Sequence, residues 1–156
     1  DWYRGLNRAI KSTILWVAGG VKVVSPHVLI FASKTNPPEL KQLDIYGFDF
    51  NYRGPHPKTS AFLMTSYWLN NATFIEKRIL NNEVFFYGFR RNNGENIVFV
   101  WAKEGTTKQL KDNTLDARDI YGKKVKVSRL GEEPVIFYSN TKNISEIMND
   151  VQNNLV

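Results

Sequence analysis

Between Val84 and Ser139 short, largely apolar runs are broken by tight-turn residues, the pattern of an antiparallel sheet. The runs Val84-Phe85-Phe86-Tyr87-Gly88-Phe89 and Ile97-Val98-Phe99-Val100-Trp101 flank Asn92-Asn93-Gly94-Glu95. Asn and Gly accept the positive φ that a tight hairpin turn demands, so the two runs are read as paired strands. The same logic predicts further turns at Tyr121-Gly122-Lys123 and Gly131-Glu132-Glu133, and a first strand at Ala72-Thr73-Phe74-Ile75. Phe85, Tyr87 and Phe89 alternate on one strand, and Phe99 and Trp101 on the next. That alternation points to core packing before any sugar-stacking platform.

Helical periodicity takes over outside this region. Leu6, Ile10, Thr13, Ile14 and Val17 share one face of a helix over residues 5–18, stopped by Gly19-Gly20. Val21-Lys22-Val23-Val24 then reads as a strand ended by Pro26, and Val28-Leu29-Ile30-Phe31 as a second short strand or a packed loop. Residues 33–57 form a long connection carrying Pro37-Pro38 and the aromatics Tyr46, Phe48, Phe50 and Tyr52. Connections of that length inside a domain are often functional. Pro55 and Pro57, with Thr59 and Ser60, mark a second helix that runs to Leu69. A last helix is expected over residues 141–156. There Ile144, Ile147, Met148, Val151 and Leu155 share a face, and Asn143 with Glu146 forms a capping box. The expected organisation is α+β: a helix-strand-loop-helix segment over residues 1–71, an antiparallel β-sandwich over 72–140, and an amphipathic helix over 141–156.

Composition narrows the functional classes. At 156 residues and 42% apolar the chain can fill one core. Its net charge of +6 raises nucleic-acid binding, but the basic residues are scattered. The densest group, Lys123, Lys124, Lys126 and Arg129, alternates with Val125 and Val127 as a solvated sheet face does. Nucleic acid is therefore not an expected partner, and no stretch is long and apolar enough to span a bilayer. The absence of cysteine excludes disulfides and thiolate metal sites.

The only histidines, His27 and His56, form no ligand-spaced pair, so neither a metal nor a cofactor is expected. His27 is the more suggestive, because it follows the carboxyl end of an expected strand, where α/β and barrel folds place their sites. Glu104, Asp116, Asp119, Glu132 and Glu133 sit at turns and hairpin ends. General acid/base work needs two carboxyls held across a cleft, and no such pair is recognisable, so no catalytic residue is assigned. Asn71-Ala72-Thr73 and Asn143-Ile144-Ser145 are sequons, which makes Asn71 and Asn143 candidate glycosylation sites on an exported chain.

Several segments together resemble a known family. Gly54-Pro55-His56-Pro57-Lys58-Thr59-Ser60-Ala61 resembles the "PKP-x-x-A" helix start that follows the final barrel strand in clan-A glycoside hydrolases. The resemblance continues through Phe74-Ile75, the two hairpin strands, Asp119-Ile120-Tyr121-Gly122-Lys123 and Glu133-Pro134-Val135-Ile136-Phe137, and covers about Leu6 to Tyr138. In that family such segments form the last helix and a C-terminal β-sandwich packed on a TIM barrel. The helix before Gly19-Gly20, with Val21 to Val24, resembles the entry into the eighth barrel strand, so residues 1–71 resemble the end of a (β/α)8 barrel. The resemblance implies a C-terminal, non-catalytic portion of an enzyme acting on poly- or oligosaccharide, with catalytic glutamates at the ends of barrel strands four and seven, before Asp1. After strand eight the family often has substrate-facing aromatics, whereas this chain has Ser25, Pro26 and His27. Ser25 and His27 are then the candidate substrate-binding residues at the rim of the cleft. The implied partners are carbohydrate and the rest of a barrel, or identical subunits, and the implied location is extracellular or at the cell surface. The alternative is a secreted, non-catalytic sandwich protein, either a carbohydrate-binding module or a subunit of an extracellular assembly.

Overall fold

The hairpin strands are apolar at nearly every position, so both faces of any sheet they form need cover. The computed structural model describes residues 2–22, 48–49, 54–55, 57–111 and 115–156. In chain order these form α1 (Trp2–Ala18), β1 (Phe48–Asp49), β2 (Gly54–Pro55), α2 (Pro57–Leu69), β3 (Ala72–Leu80), β4 (Val84–Arg91), β5 (Asn96–Ala102), β6 (Lys108–Gln109), β7 (Asp116–Arg118), β8 (Arg129–Leu130), β9 (Val135–Ser139) and α3 (Ile144–Asn153). The main sheet has five antiparallel strands in the order β3-β4-β5-β9-β7. Two short ladders, β1-β2 and β6-β8, stand apart from it.

Helices cover both faces. On one side Leu6, Ile10 and Ile14 of α1 and Ala61, Trp68 and Leu69 of α2 pack with Tyr87, Phe89, Phe99, Trp101 and Ile136 of the sheet. On the other, Ile144, Ile147, Met148 and Val151 of α3 pack with Phe86, Val98, Val100 and Phe137, joined by Leu110 and Leu130. Gly88 allows the second contact. A Cβ there would lie 2.2 Å from Ile144 Cγ2 and 3.0 Å from Met148 Cε, so the helix rests directly on bare backbone.

α3 begins with the expected capping box. The Asn143 side chain accepts from the Glu146 amide at 2.9 Å, and the Glu146 carboxylate accepts from the Asn143 amide at 2.7 Å. Its outer side is tied to β3: Ser145 donates to Glu76 at 2.5 Å, and Arg78 reaches Asn149 at 2.7 Å and Gln152 at 3.1 Å. Those bonds explain why β3 runs on to Leu80 rather than ending near Ile75. Glu76 and Arg78 look like solvated strand breakers in the sequence, but they are anchors for a helix. A bulge at Ile75 shifts the register between Phe74 and Glu76.

The α+β expectation holds. The structure gives a five-stranded sheet between helical layers, with the β6-β8 ladder against the α3 side, and does not establish the expected sandwich. The turn at Gly131-Glu132-Glu133 does not close a hairpin, since β8 pairs with β6 while β9 pairs with β5 and β7. The alternation through Lys124-Ser128 is real in burial, with Val127 inside and Lys124, Lys126 and Ser128 outside. Only Lys124 makes a bridge, to Arg118. Val21 and Lys22 are exposed and lie in no strand. Val23, Val24, Ser25, His27, residues 28–31, most of 33–53 and His56 lie outside the described residues.

Candidate functional site

The β4-β5 hairpin sets the first element of a site. Gly94 sits at φ 86°, and the Asn93 side chain accepts from the Glu95 amide at 3.1 Å, so the turn holds Glu95 back over Arg91. Glu95 and Arg91 form an ion pair of 2.7 Å that is only 12% and 14% exposed. Burial works against the charge on Arg91, but the bonds and charges of Glu95 and Tyr67 together outweigh it and hold the guanidinium charged. The same guanidinium lies 4.8 Å from the Tyr67 ring and 5.2 Å from the Trp68 ring, and donates to the Tyr67 carbonyl at 3.4 Å. Tyr67 and Trp68 meet edge to face at 5.7 Å. Tyr67, on the outer side of α2, is thus 56% exposed with the Arg91 cation against one face of its ring.

Beside Tyr67 lies an open groove of about 1090 Å³. One wall is the carboxyl end of α1 with Leu63 of α2, mainly apolar through Val17, Ala18 and Leu63. The facing wall is Tyr67, Asn70 and Asn71 at the end of α2, Thr73 at the start of β3, and Asn92 in the hairpin turn. Asn71 adopts φ 53°, a left-handed conformation that Asn tolerates better than most residues, and this turns the chain from α2 into β3. Among the described residues the groove wall carries no carboxylate, and Lys22 is its one formal charge.

A second cluster lies at the other end of α1. Trp101 is stacked between Phe85, at 5.8 Å and 19°, and Tyr87, at 5.2 Å and 3°. Lys11 Nζ sits 6.0 Å from the Trp101 ring. Burial lowers the Lys11 pKa, opposed by the charges of Glu132 and Glu104. Burial also raises that of Glu133. Glu104 is bridged to Arg8 at 3.8 Å, and both side chains are at least half exposed. One turn before Lys11, Asn7 is 2% exposed with neither carboxamide atom paired among the described residues. Among the described residues no group of three His, Cys, Asp or Glu could hold a metal.

The candidate residues read from the sequence fare differently. Ser25 and His27 lie outside the described residues. Asn71 is exposed on the groove wall, whereas Asn143 is committed to the cap of α3. Tyr67 and Arg91 were not singled out in the sequence, and Asn92 was read only as a turn residue. Tyr67 stands off the buried face of its helix, and a pair of arginines precedes an Asn-Asn-Gly turn, but no spacing rule links the two segments.

No helix among the described residues is long and apolar enough to cross a membrane. Compared with protein-family models, curated proteins and solved structures, the chain matches none.

Proposed function

We propose that this chain is the non-catalytic, C-terminal part of a glycoside hydrolase of the clan-A type, a brace packed against a catalytic barrel that acts on poly- or oligosaccharide outside the cell. The observation that carries this reading is the two-sidedness of the α1-α2 layer. Its inner face is buried on the sheet, yet Leu15 and Trp16 on its outer side remain 45% and 53% exposed. α2 has no single apolar face: Ala61, Phe62, Leu63, Met64, Tyr67 and Trp68 fall on all its sides, interrupted by Thr65 and Ser66. A helix of that kind is at home with neighbours on every side. Leaving such side chains in water forgoes about 25 cal/mol per Å² of coverable apolar surface. Bracing also agrees with the ion pairs that hold several carboxylates of the described residues, among them Glu76, Glu83, Glu95 and Asp116. The resemblance around Pro57-Lys58-Thr59-Ser60-Ala61 supports it too, since α2 starts at Pro57.

In this role the sheet and α3 form a rigid block, the α1-α2 layer is the end of the barrel and meets the rest of it, and hydrolysis is done by two carboxylates supplied elsewhere. The polypeptide encoded upstream of Asp1 tests the reading. It should contain the preceding barrel strands, with glutamates ending the fourth and seventh. An upstream region without them overturns the proposal. A chain that instead self-associates through Leu15 and Trp16 would favour an extracellular assembly subunit.

A further inference from the structure

We propose that the groove between the ends of α1 and α2 is a binding site for a neutral oligosaccharide, separate from any catalytic centre. The brace role does not require this site, and the inference stands on the chemistry of its walls. Ser66, Asn70, Asn71, Thr73 and Asn92 present hydroxyls and carboxamides around one concavity, and none of these side chains bonds to another part of the described protein. Their donors and acceptors are free for a ligand that carries many hydroxyls. A carboxamide offers a donor and an acceptor side by side, the pairing that vicinal hydroxyls match.

Tyr67 supplies the complementary surface. A sugar ring has an apolar C–H face, and an exposed aromatic ring can cover it while its own polar edge stays wet. Tyr67 is 56% exposed, and the Arg91 guanidinium stacked against it limits its freedom before any ligand arrives. Ordering that costs nothing at binding is a gain in affinity. The Glu95–Arg91 ion pair, little exposed on either side, keeps the guanidinium in place. The charge pattern selects among ligands. Among the described residues the walls hold no carboxylate and only Lys22, at the apolar end, so these residues form no cluster for phosphate or sulfate and no counter-charge for a cation.

Size and shape point the same way. Pockets that bury a small ligand span about 300–1,000 Å³. The groove, at about 1090 Å³ and open along its length, is large for one sugar and suits a short chain laid across it. Asn71 is a sequon residue on this wall, so a glycan attached there would compete for the same space.

The test is an NMR titration of the unglycosylated 156-residue chain with neutral xylo-, manno- and cello-trioses to tens of millimolar, read on backbone and Asn side-chain amides. Shifts confined to Asn70, Asn71, Thr73 and Asn92 are expected with at least one triose. Tyr67→Ala should weaken that binding at least tenfold, and Tyr67→Phe should largely retain it. Arg91→Lys, which keeps the charge and loses the planar stack, should fall between them. Thermal melts of each variant separate lost binding from lost folding. No triose-induced shifts at the groove in the folded chain would overturn the proposal. So would binding that survives Tyr67→Ala unchanged. Neither outcome bears on whether a barrel is encoded upstream.

Discussion

Replacing Gly88 with alanine should lift α3 from the sheet. The added Cβ would sit 2.2 Å from Ile144 Cγ2, far inside the carbon–carbon contact distance of about 3.5–4.0 Å. Met148 Cε, at 3.0 Å, closes the other side. Neither neighbour is a loose end: Ile144 and Met148 are 3% and 0% exposed, and the capping box fixes the helix start one residue before Ile144. Overpacking of this kind costs about 1–3 kcal/mol. For a chain of this size that lowers the melting temperature by roughly 2–12 °C.

The stronger assay is a double-mutant cycle with Ile144→Ala. Alone, Ile144→Ala should cost about 2–5 kcal/mol through the cavity it leaves. In the Gly88→Ala background the smaller side chain makes room for the new methyl. The double mutant should therefore be more stable than the sum of the two effects predicts, by about 1–3 kcal/mol. Far-UV circular dichroism melts or urea titrations give all four stabilities. If Gly88→Ala is neutral, or the two effects simply add, α3 does not rest on β4 as described.

Three further outcomes are expected. Asn143→Ala removes the cap of α3 and should destabilise the chain by about 1 kcal/mol in a denaturant titration, with Asn143→Gly milder. Asn7→Leu, which exchanges a buried unpaired carboxamide for an apolar group of similar shape, should raise the melting temperature, by an amount set by an orphan cost of about 1–3 kcal/mol. Bonds from Ser145 and then Arg78 hold the Glu76 carboxyl below its ordinary value of 4.5, so its stabilisation is present above that pH and is lost as pH falls through the folded value. Stability curves of the wild type and Glu76→Gln should therefore converge below pH 4.5, and curves that stay parallel from pH 6 downward would refute the assignment.

What the sequence made legible was local. The Asn92-Asn93-Gly94 turn, the stripe of α1 and the capping box of α3 are each set by side-chain chemistry within a few residues, and each is found in the structure. Alternation along β4 and β5 showed that their faces need cover, but periodicity does not say whether a helix or a second sheet supplies it. Hence the sandwich expectation, where helices lie on both faces. The extension of β3 was hidden for a similar reason. Glu76 and Arg78 resemble surface charges until α3, about 70 residues later, provides their partners. The groove was less legible still. Tyr67, Asn71 and Asn92 come from a helix end, a turn and a hairpin, and only the packing of α2 on the sheet brings them to one wall.

The central claim is that the α1-α2 layer braces a larger carbohydrate-degrading enzyme. The most direct measurement is the mass of the natural polypeptide that carries this sequence, taken by immunoblot with an antibody to α3 and paired with glycosidase activity in the same band of a substrate gel. A TIM barrel of about 250 residues added to this chain predicts an active species of roughly 45 kDa. A mature species of 18.0 kDa with no associated glycosidase activity would contradict the account.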